Sequence, residues 1–176
     1  MFARLILIGA FICTPLFLGM AQPSYVGVKT CGMCHKSEKA GQQLSIWENS
    51  KHSKAYEVLL TDEANKIASD KGFTTKASET PECLKCHATG YNVDASMLEK
   101  NFKIEQGVQC ETCHGPGSDY KTMSVMKNKE EAIAKGLKLY DKIEDLCLTC
   151  HNAESPTMTE FNFAESWEKI KHNKPE

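Results

Sequence analysis

The chain has 176 residues, with 23 acidic against 21 basic side chains, a formal net charge of -2 and a mean hydropathy of -0.41. Its lysines are scattered among carboxylates, which excludes a nucleic-acid-binding patch, and one N-terminal stretch alone is apolar enough to approach a membrane span. Nine cysteines and six histidines direct attention to cofactor or metal chemistry.

Residues Met1 to Ala21 read as a secretory signal: one charge at Arg4, an apolar run from Leu5 to Met20, and small Gly19 and Ala21 placed for cleavage before Gln22. Cys13 follows bulky Phe11 and Ile12 and does not suit a lipoprotein cleavage site. An uncleaved anchor is the alternative for the same run, which is at the short limit for crossing a bilayer. Cleavage leaves residues 22–176 as one domain by length. The expected location is periplasmic or extracellular, with no stable membrane span.

After a first Cys-x-x-Cys-His at Cys31, the periodicity of Leu44, Trp47, Ala55, Tyr56 and Leu59 predicts a helix over about 42–60. A second helix over 61–70 is capped by Thr61 or Asp62 and stopped by Gly72. Residues 73–81 are small and polar and read as a loop. Residues 101–109 alternate weakly, as a short strand or an extended arm, and Gly115-Pro116-Gly117 is a turn. Short helices near 129–135 and 163–171 complete a fold class that is mainly α with long irregular loops.

The pentapeptide Cys-x-x-Cys-His occurs four times, at Cys31/Cys34/His35, Cys83/Cys86/His87, Cys110/Cys113/His114 and Cys147/Cys150/His151. A zinc knuckle, a thioredoxin-like pair or a disulfide framework would use the cysteines, but none needs a histidine at the next position. Covalent haem attachment does: two thiols add to the haem vinyl groups and the adjacent imidazole becomes the proximal iron ligand. Four covalently bound haem c groups are therefore expected in a compact multihaem cytochrome fold. The porphyrins should form much of the core, since a short chain has little apolar side chain to spare. Their propionates should make the loaded protein more acidic than its sequence.

Four irons offer eight axial positions, and four of the six histidines are proximal. Only His52 and His172 remain as distal candidates. At most two haems are then bis-histidine within one chain, and the others take methionine, a ligand from a neighbouring chain, water or nothing. Met123 and Met126, soon after the third motif, are the methionine candidates placed to approach a distal position; methionine ligation raises a haem's potential.

With these residues in view, the chain resembles the tetrahaem cytochrome c-554 family of electron carriers associated with hydroxylamine oxidation. The likeness is carried by Gly107-Val-Gln-Cys110-Glu-Thr-Cys113-His114-Gly-Pro-Gly117, by Cys83-Leu-Lys-Cys86-His87-Ala-Thr-Gly90, by Ser50-Lys-His52-Ser-Lys-Ala55 and by motif order with a C-terminal His172. The resemblance implies a mainly helical fold with haems in close pairs, three of them bis-histidine and the second-motif haem five-coordinate. It matches His52 and His172 to distal ligands and makes His87 proximal on the open haem. The chain departs from the family after the Gly-Pro-Gly turn, where Ser118 to Met126 contains no histidine. That haem, assigned to the first motif, takes Met123 or Met126, borrows a ligand, or is also open.

Three functions follow. The leading one is electron transfer between redox protein partners through closely packed haems, with no catalytic residue. A second is redox chemistry on nitric oxide or hydroxylamine at a five-coordinate haem, and a third is a subunit of an extracellular cytochrome polymer. The sequence leaves a dimer or larger assembly open.

Overall fold

A computed structural model describes residues 22–158 and 160–172. The expected signal sequence, with Cys13, lies outside the described residues. The fold is mainly helical, as expected, with no strand among the described residues; a single parallel bridge joins Tyr25 to Leu98. Ten short α-helices follow in order: α1 (Val28–Gly32), α2 (Gln43–Glu48), α3 (Ala55–Val58), α4 (Asp62–Asp70), α5 (Pro81–His87), α6 (Cys110–His114), α7 (Met123–Met126), α8 (Lys129–Ala134), α9 (Ile143–Cys147) and α10 (Phe163–Ile170).

Local chemistry sets their ends. Thr61 Oγ1 accepts the Ala64 N–H at the start of α4, and Gly72, at a φ of 87°, follows its end. Pro81 occupies the first turn of α5, where its missing N–H costs nothing. Asn128 and Asn162 cap α8 and α10 by accepting the N–H groups of Glu131 and Glu165.

The expected single helix over 42–60 is corrected to three pieces: α2, a 3-10 turn at His52–Lys54, and α3. The break lies at Asn49 and Ser50. The Ser50 N–H and hydroxyl both donate to the Trp47 carbonyl, the acceptor that a continued helix would offer to Lys51, whereas Ser45 keeps its helical bond from the Asn49 N–H. Residues 101–109 form no strand; they hold a 3-10 turn at Ile104–Gln106 and then run extended into α6. The loop expected over 73–81 contains a 3-10 turn at Ala77–Glu79.

The apolar core is thin. One cluster gathers Leu59, Ala64, Ala68 and Ala77, with Phe73, Cys83 and Leu84 against it. A second gathers Tyr120, Val125 and Ala132, with Met126 and Leu137 against it. The largest fully buried side chains are only Val26 and Thr80, while Met33, Leu60, Met123, Leu139 and Leu148 stand exposed. A chain that buries so little and exposes large apolar side chains around its cysteine motifs has room for apolar cofactors as its core.

Candidate haem-attachment site

Each motif sits on a helical turn, at the end of α1, within α5, as α6, and across the end of α9. In the first and fourth motifs the turn is explicit: the Cys34 and His35 N–H groups bond the Cys31 carbonyl, and the Cys150 and His151 N–H groups the Cys147 carbonyl. Residues three and four apart share a helical face, so two thiols and an imidazole are presented together.

The fold also brings motifs to one another. Cys31 lies beside Cys110, Cys86 beside Cys150, and Cys113 beside Cys147 and Cys150. Motif one is thus against motif three, motif two against motif four, and motif three against motif four. Lys85, inside the second motif, pairs with Glu154 beyond the fourth at 2.5 Å; that pair is largely exposed and adds little stability, but it records the same adjacency.

Burial pushes the Cys86 and Cys113 thiols up to about 11 and raises Cys83 and Cys147. Cys110, beside Cys31, is held lower by that neighbour. A redox-active Cys-x-x-Cys works through a depressed thiol, the reverse of the general trend here. Among the described residues no three His, Cys, Asp or Glu side chains converge on a point that holds a bare metal ion, so the cysteine pairs do not gather into zinc sites.

Two pairs of imidazoles lie near one another, with ring planes tilted by 45° and 56°. The rings of His52 and His151 lie 6.1 Å apart between centroids, and those of His114 and His172 lie 5.9 Å apart. Each pair joins a motif histidine to one outside the motifs. Two metal–nitrogen bonds of about 2.0–2.1 Å plus the depth of two rings sum to roughly 6 Å, so either gap accommodates one metal between the imidazoles. Ring nitrogens are also engaged in the way metal-binding histidines require: His114 Nδ1 is 3.3 Å from the Lys138 carbonyl and His172 Nδ1 is 3.3 Å from the Ile170 carbonyl. His87 Nδ1 is 2.7 Å from the Ala55 carbonyl. An Nδ1–H donated to a carbonyl leaves Nε2 as the free lone pair. His151 is further fixed by stacking on Phe161, centroids 4.6 Å apart and planes 9° from parallel.

No such imidazole pair forms at His35 or His87 among the described residues. Met126 packs against the Tyr120, Val125 and Ala132 cluster, whereas Met123 is 63% exposed. Of the two methionine candidates, Met123 is therefore the one not committed to a core.

Burial lowers the His52, His114 and His151 imidazoles below the ordinary histidine range, with His151 adding to the effect at His52 and His172 at His114. A depressed folded-state pKa means that the unfolded chain protonates first as pH falls. The stability these neutral rings contribute is present above about 6.5 and is lost as pH drops through their folded values.

Glu111, between the two cysteines of the third motif, carries no local signal that singles it out. It is 3% exposed, and its carboxylate accepts the backbone N–H groups of Val26, Gly27 and Gly117, each at 2.8 Å. Burial raises its pKa, while the three donors oppose that rise. Tyr120 closes the same region, its hydroxyl donating to the carbonyls of Gly115 at 2.7 Å and His114 at 3.1 Å. Motif x positions are ordinarily variable, so only the fold shows that this one ties the N-terminal segment to the third motif.

These positions coincide with a known pattern: the sequence profile described as cytochrome c554 and c-prime matches residues 30–115, which include the first three motifs and His52. Over that stretch the chain is similar to the cytochrome c554 family. The cytochrome c-554 of Nitrosomonas europaea is 28% identical over 145 residues, covering 74% of this chain and 59% of that protein. The chain thus spans less than two thirds of that relative's length. No solved structure matches the chain. A c554-type cytochrome carries covalently bound haem c, and the cysteine-rich turns, paired imidazoles and thin core described above fit that group. No helix among the described residues is long and apolar enough to cross a membrane.

Proposed function

We propose that this protein is an exported tetrahaem c-type cytochrome that passes electrons between redox protein partners. Cys31/Cys34, Cys83/Cys86, Cys110/Cys113 and Cys147/Cys150 would each hold one haem, with His35, His87, His114 and His151 as proximal ligands. Haem supplies reversible one-electron chemistry when bound. The chain's own part is to hold the four groups close together and to make their surroundings unequal. The adjacency of motifs one and three, two and four, and three and four supports a continuous path through the molecule.

The observation that carries this reading is the pairing of His52 with His151 and of His114 with His172. It supports His52 as distal ligand of the fourth-motif haem and His172 as that of the third. The first and second irons then lack a histidine partner, so their potentials diverge from those of the bis-histidine pair. Met123, and not the packed Met126, is left as a methionine ligand for the first-motif haem. The second-motif haem, with His87 oriented by Ala55, is the five-coordinate one.

His52→Ala and His172→Ala test the assignment. Each should remove one low-spin bis-imidazole signal from the ferric protein's electron paramagnetic resonance spectrum and leave the other in place. A spectrum unchanged by both substitutions would overturn it. Consumption of nitric oxide by the reduced protein is the corresponding check on the enzymatic alternative at an open haem, and the carrier reading expects none sustained beyond one equivalent per open iron. A single species of monomer or dimer mass in solution would exclude the polymer.

A further inference from the structure

We propose that Trp47 is a positioning residue that holds His52 on the fourth-motif iron; this rests on the reading of His52 and His151 as an axial pair. His52 opens a 3-10 turn of three residues, His52–Lys54, too short to fix an imidazole by itself. What fixes it is a closed loop of hydrogen bonds to the segment leading into the third motif. The Trp47 indole N–H, on α2, donates to the Val108 carbonyl at 2.7 Å, and the Val108 N–H donates to the His52 carbonyl at 3.0 Å. One residue of the lead-in segment therefore clamps both ends of the Trp47 to His52 stretch.

The clamp is itself anchored. Thr89 donates its N–H to the Gly107 carbonyl at 2.9 Å, and its Oγ1 accepts the Gln109 N–H at 2.8 Å. Gly107 passes so close beneath the His52 turn that a Cβ there would lie 2.6 Å from the His52 carbonyl oxygen, and its φ of 71° further favours glycine. Residues 107–109 are thus held between Thr89 and His52 before entering α6 at Cys110. Inside the stretch, the Ser50 hydroxyl donates to the Trp47 carbonyl and the Ser53 hydroxyl to the Glu48 and Ser50 carbonyls, which keeps it from unwinding.

The same segment ends at Ala55, whose carbonyl faces His87 Nδ1 at 2.7 Å. Trp47 consequently governs the stretch that offers one imidazole to the fourth-motif iron and orients the proximal imidazole of the second. Removing the indole N–H leaves the Val108 carbonyl without its partner and frees one side of the clamp. Phenylalanine keeps an aromatic ring at this position without the N–H.

Trp47→Phe in the haem-loaded protein is the test, read by electron paramagnetic resonance and by potentiometric titration, with His52→Ala identifying which low-spin signal belongs to the fourth-motif iron. Substitution of an outer-shell partner typically weakens metal ligation about 10–100-fold. Trp47→Phe should raise the fraction of protein with that iron released from His52 by roughly tenfold, the lower end of that range. Added imidazole should restore the low-spin signal, which a general loss of structure would not permit. If Trp47→Phe fails to load haem, replacing the Trp47 indole by its benzothiophene isostere removes the N–H alone and should give the same release. An unchanged signal and potential for the fourth-motif iron in the variant that loads would overturn the proposal. A His52→Ala spectrum identical to that of the unmodified protein would instead overturn the axial pairing, and the positioning role with it.

Discussion

Replacing all eight motif cysteines by serine should leave the chain largely unfolded, with most of its helical far-ultraviolet circular dichroism lost. The longest helix, α4, has nine residues and most have four to six, whereas isolated helices are marginal in water below about 12–15 residues. Such helices persist only by packing, and the packing available from side chains is two clusters built largely of alanine, valine and single larger residues. Around them stand exposed Met33, Leu139, Tyr140 and Leu148, whose burial waits on the porphyrins. Blocking attachment removes the apolar surface that the short helices need, and the entropy of the chain then wins. A cooperative thermal transition in the serine variant, with helical content like that of the loaded protein, would contradict this view of the core.

The second large effect is expected at Glu111. Glu111→Ala strips the acceptor from three buried backbone N–H groups at once, those of Val26, Gly27 and Gly117. Each unsatisfied donor costs about 1–3 kcal/mol, and water entering the small void recovers part of it, so the loss should be roughly 3–5 kcal/mol. Glu111→Gln should cost less, about 1–3 kcal/mol. Its carbonyl still serves Val26 and Gly117, which share one carboxylate oxygen, but its amide turns a donor toward the Gly27 N–H. Chemical denaturation of the loaded variants measures both. Equal and small losses for the alanine and glutamine variants would show that the carboxylate is not what joins the N-terminal segment to the third motif.

The two residues illustrate what a sequence of this kind discloses. The cysteine motifs are legible because haem attachment needs a fixed local spacing, and counting axial positions against imidazoles is what singles out His52 and His172 as candidates. Thr61 and Gly72 mark helix ends through interactions within a few residues, and the fold places them as expected, whereas Pro81, read only as the end of a loop, opens α5. Glu111 is different: its donors Val26 and Gly27 lie 85 and 84 residues away, and nothing near it in sequence announces them. The same holds for Trp47. Periodicity counts it as one more apolar residue on a helical face, but its indole N–H reaches Val108, 61 residues on. The break in the expected 42–60 helix was present in Ser50, whose N–H and hydroxyl both claim the Trp47 carbonyl and outweigh the apolar periodicity around them. Met123 and Met126 cannot be told apart by their distance from the third motif. They separate only when Val125 and Ala132 are seen to claim Met126 for a packed cluster.

Unequal irons are the central claim, and they follow from two imidazole pairs in a chain with four attachment motifs. Spin quantitation of the fully loaded ferric protein by electron paramagnetic resonance tests that claim most directly. Two bis-imidazole low-spin irons are predicted, with the remaining two of different character, at least one of them high-spin. Four equivalent bis-imidazole signals, or none, would contradict it.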